Sequence, residues 1–243
     1  MNVEFTYRAY RELVVLLKEG GYSFRDYHDY QESQRCVILR HDIDTRVDSA
    51  LKMAKLEAKE GVKSTYFVLL TSGLYNAASK ESLAGLREIQ ALGMEIGLHY
   101  DEKASICDPG VGTVDAIIKE CQVLSELLGS PVSTVSMHRP SPKTLEADLK
   151  IPGIENAYGK VFFQDFKYLS DSRHHWREPV LEIVRSKVYR RLHILTHAFW
   201  YHEEEKTLED CIDSFIRSAN QDRYRQMTEN ITDLTSILKE EDL

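Results

Sequence analysis

From Cys36 to Leu39 the chain is apolar without a break, and over the next five residues, Arg40-His41-Asp42-Ile43-Asp44, it turns polar. A short apolar run of this kind predicts a strand buried on both faces, here over residues 36–40. Before it, residues 7–18 carry apolar side chains at helical spacing and stop at Gly20 and Gly21. After it, Val47, Leu51, Ala54 and Ala58 recur on one helical face, with Thr45 placed to cap that helix and Gly61 to end it. The β-branched and aromatic run at 64–70 predicts the next strand, 79–93 a helix, 94–100 a strand, 114–129 a helix and 132–138 a strand. The runs at 180–186 and 192–200 predict two more strands, and the chain from about Thr207 onward reads as helix of mixed charge. Strand and helix in alternation imply parallel pairing, in a barrel or a doubly wound sheet.

Composition narrows this further. With 243 residues, 42% apolar and 29% charged, and no Pro/Gly/Ser-rich linker, the expectation is one α/β domain over 1–243. A formal net charge of −8 argues against nucleic acid or an anionic membrane as the main partner. Residues 1–17 carry charges through their apolar stretch, unlike a signal peptide, and no run is long enough to span a membrane, so a cytoplasmic location is expected. Cys36, Cys107, Cys121 and Cys211 lie far apart with no CxxC pair, as expected of reduced thiols.

The unusual polar groups fall at the carboxyl ends of the predicted strands: Asp42 and Asp44, His99 and Asp101, His138 and Arg139, and His197. That edge is where α/β barrels and sheets assemble their sites. Side chains alternate along a strand, so Asp42 and Asp44 share one side while His41 and Ile43 take the other. Two carboxylates so close repel unless a cation lies between them or one takes a proton. A metal beside Asp44, with Asp42 left as a base, resolves the conflict, and His99 with a further histidine strengthens that reading. A retaining glycosidase would need two carboxyl groups facing each other across a bond, whereas two residues of one strand project side by side.

The segments LRHDID (39–44), GLHYD (97–101), SMHRPSP (136–142), DSRHHW (171–176) and ILTHAFW (194–200) resemble, in that order, the motifs of the polysaccharide deacetylases, carbohydrate esterase family 4, in the subgroup with an Asp-x-Asp first motif. The resemblance implies a deformed (β/α) barrel holding a divalent metal, usually zinc, with iron, cobalt and manganese also suited to such ligands. It implies a metal-dependent hydrolase that removes the acetyl group from an N-acetylated sugar or related amide. Together with the expected location, that points to a soluble precursor in surface-polysaccharide assembly. By the same resemblance Asp42 is the base, Asp44 and His99 are metal ligands, and His197 protonates the leaving amine. Arg139 would orient the base and Asp171 would hold that arginine. Four residues beyond His99, where the family has a second histidine, stands Lys103. His138 is the candidate for the third ligand, with Asp101 as its alternative. Trp176 and Trp200, with Tyr201, would form an aromatic wall for a sugar ring, and His174 and His175 are expected to be solvated. The alternative reading is a non-catalytic carbohydrate-binding or scaffold protein on a decayed barrel.

Overall fold

The computed structural model describes residues 3–108 and 110–240. Its chain divides into two compact units, Met1–Glu203 and Glu204–Leu243. In the first, helix α1 (Tyr7–Glu19) leads through a short strand β1 (Ser23–Arg25) to β2 (Cys36–Ile43). Then follow α2 (Val47–Glu60), β3 (Thr65–Val68), α3 (Lys80–Ala91), β4 (Glu95–Tyr100), α4 (Thr113–Leu128) and β5 (Thr134–Met137). Shorter pieces come next: α5 (Pro142–Glu146), β6 (Glu155–Asn156), α6 (Val161–Gln164), β7 (Lys167–Ser170), α7 (Val180–Ser186) and β8 (Arg191–Thr196). The second unit holds α8 (Leu208–Asn230), opened by a Thr207–Asp210 capping box, and α9 (Leu234–Ile237).

The eight strands form one sheet in the order β6-β5-β4-β3-β2-β8-β7, with β1 beside the start of β2. Every described strand pair in it is parallel. Read as a ring from β2 to β6, then β7, β8 and back to β2, this is the strand order of a (β/α) barrel, opened between β6 and β7. Among the described residues those two strands form no ladder. The curled parallel sheet with flanking helices is the deformed barrel expected from the sequence.

Alternation along β2 sorts the core into two layers. Val37, Leu39 and Ile43 face the helices and join Leu13, Met53, Leu86 and Leu124. Cys36 and Ile38 face inward and pack with Tyr27, Phe67, Phe162 and Phe166. Every residue of β2 is buried, which is why the strand reads as a run and not as an alternation. Gly97, on β4, lets the inner layer close: a Cβ there would lie 2.5 Å from the Phe67 ring and 2.9 Å from the Thr134 carbonyl.

Several local expectations change. Residues 180–186 form helix α7, not a strand. Pro179 precedes its first residue, and Val180 and Val184, one turn apart, are its buried positions. The strand predicted over 192–200 ends at Thr196, and Ala198–Trp200 is a 3₁₀ turn. Arg46, not Thr45, is the N-cap of α2 and makes no side-chain capping bond. The buried face of α2 is Val47, Ala50, Met53, Ala54 and Glu57. Leu51 and Ala58 flank the core and are only partly buried.

Candidate metal centre

The C-terminal edge of the sheet brings Asp44, His99 and His138 together. Asp44 directly follows β2, His99 lies within β4, and His138 directly follows β5. His99 Nε2 and His138 Nδ1 lie 3.3 and 3.4 Å from Asp44 Oδ1, and the two nitrogens are 3.1 Å apart. A tetrahedral ion bound at about 2.0–2.1 Å by nitrogen and oxygen separates its ligands by about 3.3–3.4 Å, close to this triangle. Asp44 Oδ1 is moreover buried and accepts no hydrogen bond. A buried carboxylate oxygen with two imidazole nitrogens aimed at it suits a divalent cation, and oxygen-plus-nitrogen donors suit zinc, iron, cobalt and manganese alike. Burial opposes the charge on Asp44, but the His138, His99 and His197 rings hold its pKa far below the ordinary aspartate range.

Asp42 lies beside this cluster, its Oδ2 3.6 Å from His99 Nε2. It is buried and clamped from below. Arg40, two residues earlier on the same side of β2, reaches Asp42 Oδ1 from Nε at 3.2 Å and from Nη2 at 2.8 Å, and Oδ2 from Nη2 at 2.6 Å. The Arg40 guanidinium is fully enclosed, 5.0 Å from the Phe67 ring centre and 5.2 Å from that of Tyr158. Burial pushes the Asp42 pKa up, but Arg40, with His99 and His197, outweighs it and keeps the carboxyl ionised.

His197, directly after β8, also borders Asp44, with Nε2 3.8 Å from Asp44 Oδ2. Its Nδ1 is 2.7 Å from Asp171 Oδ1. Asp171 is buried after β7 and also accepts the His197 backbone N–H at 3.1 Å and the Tyr201 hydroxyl at 3.2 Å. Burial works against a charged His197 ring, yet Asp171, aided by Asp42 and Asp44, pushes its pKa up to about 9.

Other expected partners are not where the sequence reading put them. Arg139 neither touches Asp42 nor pairs with Asp171: its Nη2 donates to Asp101 Oδ2 at 3.0 Å, and its side chain is 70% exposed at the rim. Arg40 occupies the place beside Asp42, and Asp171 holds His197. Asp101 lies outside the ligand triangle, 4.0 Å from the far nitrogen of His138. Trp176 is buried in the layer between sheet and helices. Trp200 is partly buried, its ring centre 6.4 Å from that of His197, and Tyr201 is buried. His174 stacks on Phe5 with ring centres 4.1 Å apart and so is not simply solvated, whereas His175 is exposed.

Sequence reasoning missed two groups. A charged residue inside an otherwise apolar strand, in phase with Asp42, was the available signal for Arg40. The second is Ser136, whose hydroxyl lies 2.6 Å from His99 Nδ1 and fixes the ring. It sits directly across the β4–β5 pair from His99, a register that cannot be read from one sequence.

No family model matches the chain, and no curated protein does. Among solved structures, it is similar to a Streptococcus mutans CE4 esterase at 19% identity, covering 85% of this chain and 91% of that one, with a TM-score of 0.48. The Streptococcus pyogenes deacetylase PplD in complex with acetate is 13% identical, with 88% and 89% covered and a TM-score of 0.47. A wild-type CE4 family pseudoenzyme from Bacillus anthracis is 15% identical at a TM-score of 0.43; 78% of this chain is covered, and it spans 62% of that protein's length. Similar solved structures of this chain thus include proteins described as a CE4 esterase, a deacetylase and a CE4 family pseudoenzyme.

Proposed function

We propose that the protein is a metal-dependent hydrolase that removes the acetyl group from an N-acetylated sugar or related amide. The observation that carries the reading is that two differently held groups border the Asp44–His99–His138 triangle, Asp42 Oδ2 at 3.6 Å from His99 Nε2 and His197 Nε2 at 3.8 Å from Asp44 Oδ2. A divalent cation held by these three residues would polarise the amide carbonyl and acidify an attacking water. Asp42, kept ionised by Arg40, takes a proton from that water as it attacks the acetyl carbon. His197 holds a proton at Nε2, because Asp171 fixes Nδ1–H and favours the charged ring. It delivers that proton to the amine nitrogen as the C–N bond breaks, and the products are acetate and a free amine. An amine leaves poorly as an anion, so the acid is as necessary as the base.

The test is acetate release from N-acetylated hexosamines, free and linked to a nucleoside diphosphate, by zinc- or cobalt-loaded protein. Release that stops on chelation, returns with metal and is lost in Asp42→Asn with metal content intact is the expected result. Stoichiometric metal and sugar binding without acetate release from any of these compounds would replace this reading with that of a carbohydrate-binding protein.

A further inference from the structure

This inference rests on the metal-centre reading and concerns how the third ligand is held. The two histidines of the triangle are turned opposite ways. His99 presents Nε2 to Asp44 and fixes its Nδ1 on Ser136 at 2.6 Å. His138 presents Nδ1 to Asp44 and turns Nε2 outward, where Asp101 Oδ2 lies at 4.0 Å. Asp101 is buried and its carboxylate is fixed at both ends: Oδ1 accepts the Lys103 backbone N–H at 2.9 Å, and Oδ2 accepts Arg139 Nη2 at 3.0 Å.

Two consecutive residues in extended chain point to opposite sides, yet His138 and Arg139 both address Asp101. The backbone makes this possible at Arg139, whose φ of 48° lies in the left-handed region that residues other than glycine seldom adopt. Strain of this kind persists where the surroundings hold it, often at functional sites.

We propose that Asp101, clamped by Arg139, is the positioning residue of His138. Its carboxylate lies on the Nε2 side of the ring, 4.0 Å away, and favours the tautomer that turns Nε2–H toward it and leaves the Nδ1 lone pair free for the metal. The arginine that sequence resemblance assigns to the base instead serves the ligand set, through Asp101.

The experiment uses the metal alone. Dissociation constants for Zn²⁺ and Co²⁺ are measured by competition with a chromophoric chelator for the full-length wild type, Asp101→Asn, Arg139→Gln, their double variant and His138→Ala. In Asp101→Asn the amide oxygen can still accept from Lys103, but the amide nitrogen that replaces Oδ2 cannot accept from Arg139 and turns a donor, not a carboxylate oxygen, toward His138 Nε2. The expected result is metal binding about 10–100-fold weaker in Asp101→Asn and a smaller loss in Arg139→Gln. The double variant should be little worse than Asp101→Asn, because the two act in one chain. Thermal unfolding of metal-free Asp101→Asn should match the wild type; an equal loss there would make Asp101 a merely structural residue and overturn the proposal. Wild-type affinity in Asp101→Asn, with metal lost in His138→Ala, would overturn it too while leaving the metal centre standing. Wild-type affinity in His138→Ala would instead remove the metal-centre reading itself. Should Asp101→Asn fail to fold, Arg139→Gln, altered at an exposed side chain, decides alone, and unchanged affinity there refutes the clamp.

Discussion

A guanidinium shut away from water must be neutralised where it lies, and Arg40 meets that need with both oxygens of Asp42. Removing one partner of a buried pair leaves the other charge uncompensated. Arg40→Met is therefore expected to cost about 3–5 kcal/mol of stability, and adding Asp42→Asn should restore most of it. Urea unfolding of the metal-free protein checks both, and a double variant as unstable as the single one would show that Arg40 acts by packing against Phe67 and Tyr158 instead. At His197, the other group bordering the cluster, His197→Asn should lower acetate release about 10²–10⁴-fold while leaving metal content unchanged, read by elemental analysis beside the assay; metal lost in parallel would make His197 a ligand and not an acid. Asp42, Asp44, His99, His138 and His197 were legible because each falls at or near the carboxyl end of a predicted strand, whereas Asp171 follows β7, which no predicted strand covered, and came from the resemblance alone. Their partners were less so. A motif gives the type of residue expected near a site, but not which atom it contacts: Arg139 fits the family's arginine in order along the chain, while the strand alternation that pairs Arg40 with Asp42 holds whatever the family.

Behind β2, the side chains that alternate with Arg40 and Asp42 build a second polar cluster, this one sealed among the helices. His41 Nε2 is 2.9 Å from Glu57 Oε1 on α2, and its Nδ1 is 2.6 Å from the Thr196 hydroxyl on β8. His41 and Thr196 are direct cross-strand partners, and each precedes a site residue, Asp42 or His197. Glu57 also accepts from the hydroxyls of Tyr10, Ser64 at 2.6 Å and Tyr66 at 2.7 Å, so one carboxylate ties α1, α2, β2 and β3. Burial raises the pKa of Glu57, but His41 and these donors outweigh it and hold it below the ordinary value of 4.5. Because the folded value is the depressed one, the stability this group contributes is fully present above that ordinary value and is lost as pH falls through the lower folded value. Melting temperature followed from neutral pH into acid should therefore fall less steeply in Glu57→Gln than in the wild type, from a lower starting point. Parallel curves would show that other carboxylates govern acid unfolding. The elements themselves were largely readable. Long helices and buried strands declare their period, whereas in α7 the β-branched residues outweigh a seven-residue helical pattern and read as a strand. The short β1, β6 and β7 carry too few residues for any period to show.

The ring order of the strands explains why so dispersed a set of residues can meet. The triangle draws on β2, β4 and β5, and the histidine that borders it, His197, comes from beyond β8, on the other neighbour of β2. Only the closed side of the ring, away from the β6–β7 opening, joins all of these through continuous ladders. A cation held by the three residues binds a geometry that the unfolded chain does not keep, so binding must stabilise the fold by mass action. At a free metal concentration one hundred times Kd this amounts to about 2.7 kcal/mol, and for a chain of this size about 2–4 °C in Tm per kcal/mol, or roughly 5–10 °C altogether. Scanning calorimetry with excess zinc, then with a chelator, should show that difference in the wild type. Asp44→Ala, His99→Ala and His138→Ala should each abolish it. His28→Ala should keep it, since His28 contacts Glu95 and Thr134 at the amino ends of β4 and β5, away from the triangle. Equal melting temperatures with metal and with chelator in the wild type would mean that the close approach of His99 to His138 is a hydrogen bond between two rings, and the hydrolase reading would lose the centre on which it depends.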